Sequence, residues 1–521
     1  MVRKLLQSKR GEDPLDISER EAALGELKLT KHLDGNLHLL TKSAGHSADL
    51  VVRRFVIAKR RGAILYFEGL TDTIVLEAIL RSLTIDSVKV GAQRVDAQFI
   101  ADCLVVSEEV KLVHQIAEIL HSLTLGDVAV VVDGNAESII CDARGWPLRS
   151  VTEPEAEIAL RGPHDGFIES TRVNLSMVRR RLRTPNFWTE TFEIGSLSRT
   201  PVIMGYIKGL ASEELLKEVR RRLESVDTDH LLESGQLEEM IQDHPYTIFP
   251  TIMRTERPDR VVANLLEGRV AILVENTPLV LVVPTSFIAF LQASDDYNEV
   301  VPIGTVIRLL RAVAGMVALF LPGLYVAVIN YHQELLPSDL LLRVTATREG
   351  VPFPAVFEIF FMEAVFEVLR EAGVRLPRAF GAAISIVGAL VLGDAAITAG
   401  LVSPAAVIIV AFTAIASFTV PIFSIGLAGR MGRFVFIILG GVFGLFGIQL
   451  GFMVLATHMA SLRSFGYPYL APLGPLITSD LKDTGIRDYW WKMIRRPKLE
   501  GGREPVRRAT GQKPEPPTES P

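Results

Sequence analysis

The chain has 521 residues, of which 49% are apolar, and a formal net charge of −5. Its mean hydropathy is +0.30. This balance excludes a disordered chain and gives no basic signature of nucleic-acid binding, while the length predicts several domains. Two cysteines, Cys103 and Cys141, are too few for a disulfide framework and fit a reducing compartment. Charges crowd both ends and thin out between Ala312 and Ala460, the pattern of an integral membrane protein with a large soluble part. The first residues, MVRKLLQSKRGEDPLD, contain no apolar run and do not read as a signal peptide, which keeps the soluble part in the cytoplasm.

Residues 1–45 read as a flexible leader, disordered or partly helical. An N-terminal α/β subdomain follows over residues 46–150. LVVRRFVIA and AILYFEGL read as strands, and TDTIVLEAILRSL as a helix capped by Thr71 or Asp72. SEEVKLVHQIAEILHSL reads as a second helix capped by Ser107. GDVAVVVDG is a buried strand, with SIICDA as its hairpin partner.

A second α/β subdomain spans residues 151–296. It holds no phosphate-binding loop, no dinucleotide fingerprint, no zinc-spaced Cys/His cluster and no nucleophile elbow. No catalytic, cofactor-binding or metal-binding residue is therefore expected, and the protein does not read as an enzyme. Two places invite a closer look. The turn around His164 and Asp165 reads as a satisfied His–Asp pair. The run Arg179–Arg181 reads as a solvated helix end, with contact to anionic headgroups as the sharper alternative. Val270–Leu291 is too interrupted for a membrane span and reads as strand plus membrane-proximal helix.

Residues 297–460 read as an all-α polytopic membrane domain of four to six helices. Spans are expected near 312–330, 379–399, 401–427 and 434–459, with a membrane-embedded Glu-rich helix at 352–373. Basic residues before the first span and in the tail put both ends on one side, which requires an even number of crossings. The Glu-rich stretch is PFPAVFEIFFMEAVFEVLREAGVRLP. Glu363, Glu367, Arg370 and Glu371 share about a third of the helix circumference, and Glu358 lies nearly opposite. Carboxylates at membrane depth face a bundle interior, a partner or water. Glu358, Glu363 and Glu367, with Asp394 as a weaker choice, are the candidate ion-pathway residues. The bland alternative pairs Glu367 with Arg370 and Glu371 with Arg375. Gly440, Gly444, Gly447 and Gly451 form one stripe on the last span, a helix-packing face for this subunit or another. Residues 461–521 read as a basic, then Pro-rich, disordered tail.

Several blocks in order resemble one known family: EGLTD at 68–72, RGPHDGFIESTRVNLSMVRRRL at 161–182, FPTIMRTERPDRVVANLLEGRVAILVENTP at 249–278, LPGLYVAVINYHQELLP at 321–337, and the Glu-rich stretch itself. They resemble the A subunit of GerA-type spore germination receptors over about residues 50–460. The resemblance implies a spore-forming bacterium and a multi-pass protein of the spore inner membrane. It implies a transporter-like, nutrient-binding B subunit and a lipoprotein C subunit as partners. It also implies self-association into a ring that forms a nutrient-gated monovalent cation channel. A non-conducting signalling scaffold and a transporter are the alternatives.

Overall fold

Two five-stranded antiparallel sheets, each sandwiched between helices, sit on one end of a bundle of long apolar helices. The computed structural model describes residues 17–87, 96–107, 109–145, 161–375 and 393–497, with isolated residues between and beyond them.

The first unit begins earlier than the sequence suggests. Residues 1–45, read as disordered or partly helical, hold two helices, α1 (Ile17–Glu26) and α2 (Leu33–Ser43). Leu33, Leu37 and Leu40 recur at helical spacing and are buried with Ala23 and Leu24 in the first core. Strands β1 (Leu50–Ile57) and β2 (Arg60–Phe67) form a hairpin. Its two turn residues, Ala58 and Lys59, both have positive φ, the turn that matches strand twist. Helix α3 (Thr73–Arg81) starts on Asp72, whose carboxylate accepts from the Ile74 and Val75 amides.

The expected helix from Ser107 is a strand first. β3 (Val110–Val113) pairs with the edge of the sheet, and helix α4 begins only at Ile116 (Ile116–Leu125). The Ser107 hydroxyl caps no helix; it bonds the Glu109 and Asp142 carbonyls. β4 (Val128–Val132) and β5 (Ser138–Cys141) complete a sheet of order β1-β2-β4-β5-β3.

The second unit repeats this plan. Helix α5 (Thr171–Arg181), the hairpin β6 (Phe187–Ile194) and β7 (Thr200–Ile207), and helices α6 (Glu213–Glu224) and α7 (Ser234–Ile241) lead to β8 (Met253–Thr255). Helix α8 (Pro258–Leu266) then precedes β9 (Val270–Val274) and β10 (Val280–Val283). The order β6-β7-β9-β10-β8 is that of the first sheet, element for element.

The details repeat as well. Asn36 clamps the Thr30 amide and carbonyl at 2.8 and 2.6 Å, and Asn174 clamps those of Ile168 at 2.8 and 2.5 Å. Asp133 accepts from the Leu33 amide, and Glu275 from that of Thr171, both at 3.0 Å. Leu29 N–H bonds His114 O as Phe167 N–H bonds Glu256 O. The soluble half is thus a structural duplication. Val270–Leu291, read as a strand and a helix, is the β9–β10 hairpin followed by a short helix at Phe287–Leu291.

In the bundle, α9 (Val301–Tyr331) is a continuous helix with Pro322 inside it. Helix α10 (Ser338–Ala346) buries no residue. α11 (Ala355–Arg375) is the Glu-rich helix, and α12 (Pro404–Phe418) and α13 (Phe423–Ser461) follow. The expected span 401–427 is broken at 419–422, because Pro421 cannot continue a helix and disfavours helical geometry at Val420. The expected span 379–399 lies mostly outside the described residues. Among the described residues, helices α9 and α13 are the two that are long and apolar enough to cross a membrane.

The last span is not straight. At Gly444 (φ 63°, ψ −144°) α13 folds back on itself. Gly447 and Gly451 return to Leu439 and Phe436, and Met459 reaches the cluster of Ile425. Both ends of this hairpin pack under the second sheet, and its tip meets Tyr331, whose hydroxyl donates to the Gly441 and Val442 carbonyls.

The tail is also ordered over much of its length. Residues 462–470 pack below the second sheet, with Leu462, Phe465 and Tyr469 buried, and Asp483, Arg487 and Trp490 pack at the start of α9. The expected disorder fails because this stretch supplies side chains to cores built elsewhere in the chain.

Candidate functional site

α11 turns Glu358 and Glu363 into the bundle while Phe357, Phe361 and Val368 stay exposed, and its acids meet cations from other elements and from its own. Glu358 is 1% exposed. One of its carboxylate oxygens accepts from the Ser403 amide at the start of α12, and the other is 3.5 Å from Arg348 Nε. Glu363 is fully buried, and its Oε2 is 2.5 Å from Arg433 Nη1. Arg433 also donates to the Ala318 carbonyl of α9 at 2.7 Å, tying three helices together. Glu367 is held by Arg370 at 3.3 Å and by Arg430 at 3.1 Å. Arg370 reaches Ser417 Oγ at 3.0 Å and lies over the Phe418 ring.

Both pairs of the bland reading are present: Glu367 meets Arg370, and Glu371 meets Arg375 at 2.7 Å. Glu358, which helical spacing put opposite the others, is buried too, because α12 covers that side. Asp394 is exposed and stands apart from this column. Three carboxylates thus face Arg348, Arg370, Arg430 and Arg433, so in this conformation the column is neutralised from within. Around it Phe412, Ile415, Phe446, Met453 and Val454 are turned outward, an apolar surface suited to lipid.

The glycine stripe serves contacts within this chain. A Cβ on Gly440 would stand 2.4 Å from the Gly323 carbonyl of α9. Gly444 makes the reversal, and Gly447 and Gly451 admit the returning half of α13.

Two further clusters escaped the sequence reading. The first joins the repeats. Arg179, expected on a solvated face, is 1% exposed and forks onto Asp49 between the rings of Phe67 and Phe187. Burial works against the Asp49 charge, yet the Arg179 guanidinium and the Ser47 hydroxyl hold its carboxyl below the usual range. Asp165 accepts two hydrogen bonds from Arg181 at 2.6 Å.

The second cluster joins the soluble half to the bundle. Asp296, 2% exposed, accepts from Arg311 at 2.9 and 3.0 Å and from Arg308 at 3.2 Å. Arg308 continues to Asp483 at 2.8 Å, and Arg487 donates to the Asp296 carbonyl at 2.7 Å. Burial raises the Asp483 carboxyl above its ordinary value, against the pull of Arg308 and the Tyr297 hydroxyl. Arg308 and Arg311 share a helix face at i, i+3, the signal that a common acid partner was waiting.

A duplicated antiparallel α+β half, keyed through buried ion pairs to a bundle with an apolar exterior, defines a membrane-associated protein with a large soluble part. Comparison narrows this. The family described as Bacillus/Clostridium GerA spore germination protein matches residues 38–499. Spore germination protein KA of Bacillus subtilis is 42% identical over 94% of this chain and 90% of its own length. Spore germination protein GerLA of Bacillus cereus is 39% identical over 87% of this chain and 94% of its own. A crystal structure of the N-terminal domain of the A subunit of the Bacillus megaterium spore germinant receptor GerK3 aligns at 36% identity. It covers 50% of this chain and 98% of that domain, with a TM-score of 0.41. The chain belongs to the GerA family, among the A subunits of spore germinant receptors.

Proposed function

We propose that this chain is the A subunit of a nutrient germinant receptor of the spore inner membrane, with its soluble half on the cytoplasmic side. It works beside a nutrient-binding, transporter-like B subunit and a lipoprotein C subunit. Copies of it assemble into a ring that conducts monovalent cations when nutrient is sensed. The observation that carries the reading is the column of Glu358, Glu363 and Glu367 at membrane depth, satisfied by arginines of other elements. Intramembrane ionisable residues mark ion paths, and rings of acids favour cations. In the closed state arginine pairing cancels the acids. Opening exchanges those partners, and the freed carboxylates of Glu363 and Glu367 meet the permeating ion. A ligand drives such a change only through different contacts in the two states.

The test is potassium release from liposomes holding the purified chain, with and without the B and C subunits and nutrient, read beside oligomer mass. Nutrient-dependent release that changes with Glu363→Gln supports the channel. Tight liposomes with the complete receptor and nutrient would favour a second reading, a non-conducting relay. The Asp296 cluster favours that relay, since it couples the soluble half rigidly to α9.

A further inference from the structure

We propose that the ordered C-terminal segment, residues 470–497, binds an anionic phospholipid headgroup beside the start of α9. The proposal rests on the membrane reading of the bundle. Three observations carry it.

The first is position. Arg487 packs along the start of α9, with its Cδ and Nη1 3.6 Å from where a Cβ on Gly304 would stand. Trp490 meets the Tyr297 ring at 5.8 Å between centroids. From Ile303 onward α9 turns apolar side chains outward, with Val306 65% and Leu310 63% exposed. The segment therefore sits where the apolar exterior of the bundle begins.

The second is composition. The segment exposes Leu476, Ile486 and Trp490 beside Lys482, Lys492 and Arg495. Aromatic and apolar groups next to cations suit the boundary between acyl chains and phosphates.

The third is a cavity of about 470 Å³ between this segment and the end of α8. Arg269, Lys482, Lys492, Arg495 and Arg507 line it. The acids there have other work: Glu267 binds Arg507 at 2.9 Å, and Asp483 is turned to Arg308 and Tyr297. Asp480 accepts from the Ser479 hydroxyl at 2.7 Å. Arg507 is paired with Glu267 and Lys492 stands 3.6 Å from Asp488, so the exposed Lys482 and Arg495 carry most of the positive charge left to receive a phosphodiester. The exposed Leu476, Ile486 and Trp490 of the same segment favour a lipid over free phosphate, because they offer acyl chains an apolar surface that a bare anion does not use.

The experiment uses the full chain in nanodiscs of phosphatidylcholine, with or without one-third phosphatidylglycerol, and counts retained lipid by native mass spectrometry. Wild type should retain phosphatidylglycerol preferentially. The triple variant Lys482→Gln/Lys492→Gln/Arg495→Gln should lose that preference. At about fivefold per cation, the fall is about a hundredfold, with phosphatidylcholine retention unchanged. These side chains are exposed, so the variant folds, and an unchanged protease pattern verifies it. Equal retention of both lipids by wild type, or an undiminished preference in the variant, overturns the proposal. So does displacement of phosphatidylglycerol by millimolar inorganic phosphate, which would make this a soluble-anion site. Release of the chain from membranes by alkaline carbonate would instead overturn the membrane placement, and this proposal with it.

Discussion

Replacing Glu363 by glutamine separates a structural acid from a permeation acid. Glu363 is fully buried and Arg433 is 1% exposed. The substitution leaves the Arg433 guanidinium with the Ala318 carbonyl and no counter-charge. Stranding one member of a buried pair costs about 3–5 kcal/mol. The reverse change, Arg433→Met, should cost less, about 1–3 kcal/mol. A stranded carboxyl can take up a proton, whereas a guanidinium cannot lose one. Removing both charges with Glu363→Gln/Arg433→Met should return stability to within about 1 kcal/mol of wild type. The resulting coupling of at least about 3 kcal/mol is well above the noise of a double-mutant cycle.

The assay is unfolding of the bundle by SDS titration of the full chain in mixed micelles, run beside potassium release from the same preparations. The neutral double variant is the informative species. It keeps the bundle intact but carries no carboxylate at this position, so a conducting role predicts altered cation flux at normal stability. A Glu363→Gln protein as stable as wild type would refute the pairing argument. A fully stable double variant with unchanged flux would remove Glu363 from the ion path.

Asp49→Asn should destabilise the soluble half by about 3–5 kcal/mol at neutral pH, because Arg179 is left buried and uncompensated. The Asp49 carboxyl sits below its ordinary value of 3.8. Its contribution is therefore complete above that pH and is lost as pH falls through the lower folded value; acid titration of stability should lose this component in the variant. Gly444→Ala should cost about 1–3 kcal/mol, since φ 63° with ψ −144° is a glycine conformation; wild-type resistance to unfolding would argue against the reversal in α13. Burial pushes the Cys141 thiol up to about 12, and Cys103 is exposed. Alkylation of the native chain at pH 8 should thus modify Cys103 alone, and labelling of both would contradict the packing of β5.

Local pattern carried much of this fold into the sequence. The strands β1 and β2, the β4–β5 hairpin, Asp72 as a cap and the apolar run of β4 were readable, because each depends on neighbours in the chain, whereas the β9–β10 hairpin reads in sequence as a strand and a helix. What was hidden depends on distant partners. Val110–Val113 follows a helical pattern until its pairing with β5 is known. The tail looks disordered until Leu462 and Tyr469 find a core built from α8, β10 and α13. Arg179 sits in a run of three arginines, and no spacing rule reveals that Asp49 buries one of them. The acids of α11 were visible as unusual. That arginines from α13 and the loop before α11 cancel them was not, since a helical projection shows only its own residues. The duplication is preserved in contacts such as the Asn36 and Asn174 clamps rather than in composition.

The two copies of the repeat have diverged in what they face. The helical layer of the first, α1, α2 and α4, closes on its own sheet. The matching layer of the second, α5 and α8, shares a core with Ile422, Ile425 and Met459 at the base of α13. A change in the first unit reaches the second across contacts that include the Arg179–Asp49 pair and the Ser47–Thr189 hydrogen bonds, and the second unit meets the bundle through this shared core and through Asp296. The two exits reach different helices. The shared core moves the α13 hairpin, which carries Arg430 and Arg433. Asp296 moves α9, whose Ala318 carbonyl holds Arg433 from the other side. Both routes converge on the arginine that neutralises Glu363. A displacement of either helix thus acts on an ion pair whose rupture would leave a carboxylate unpaired inside the bundle.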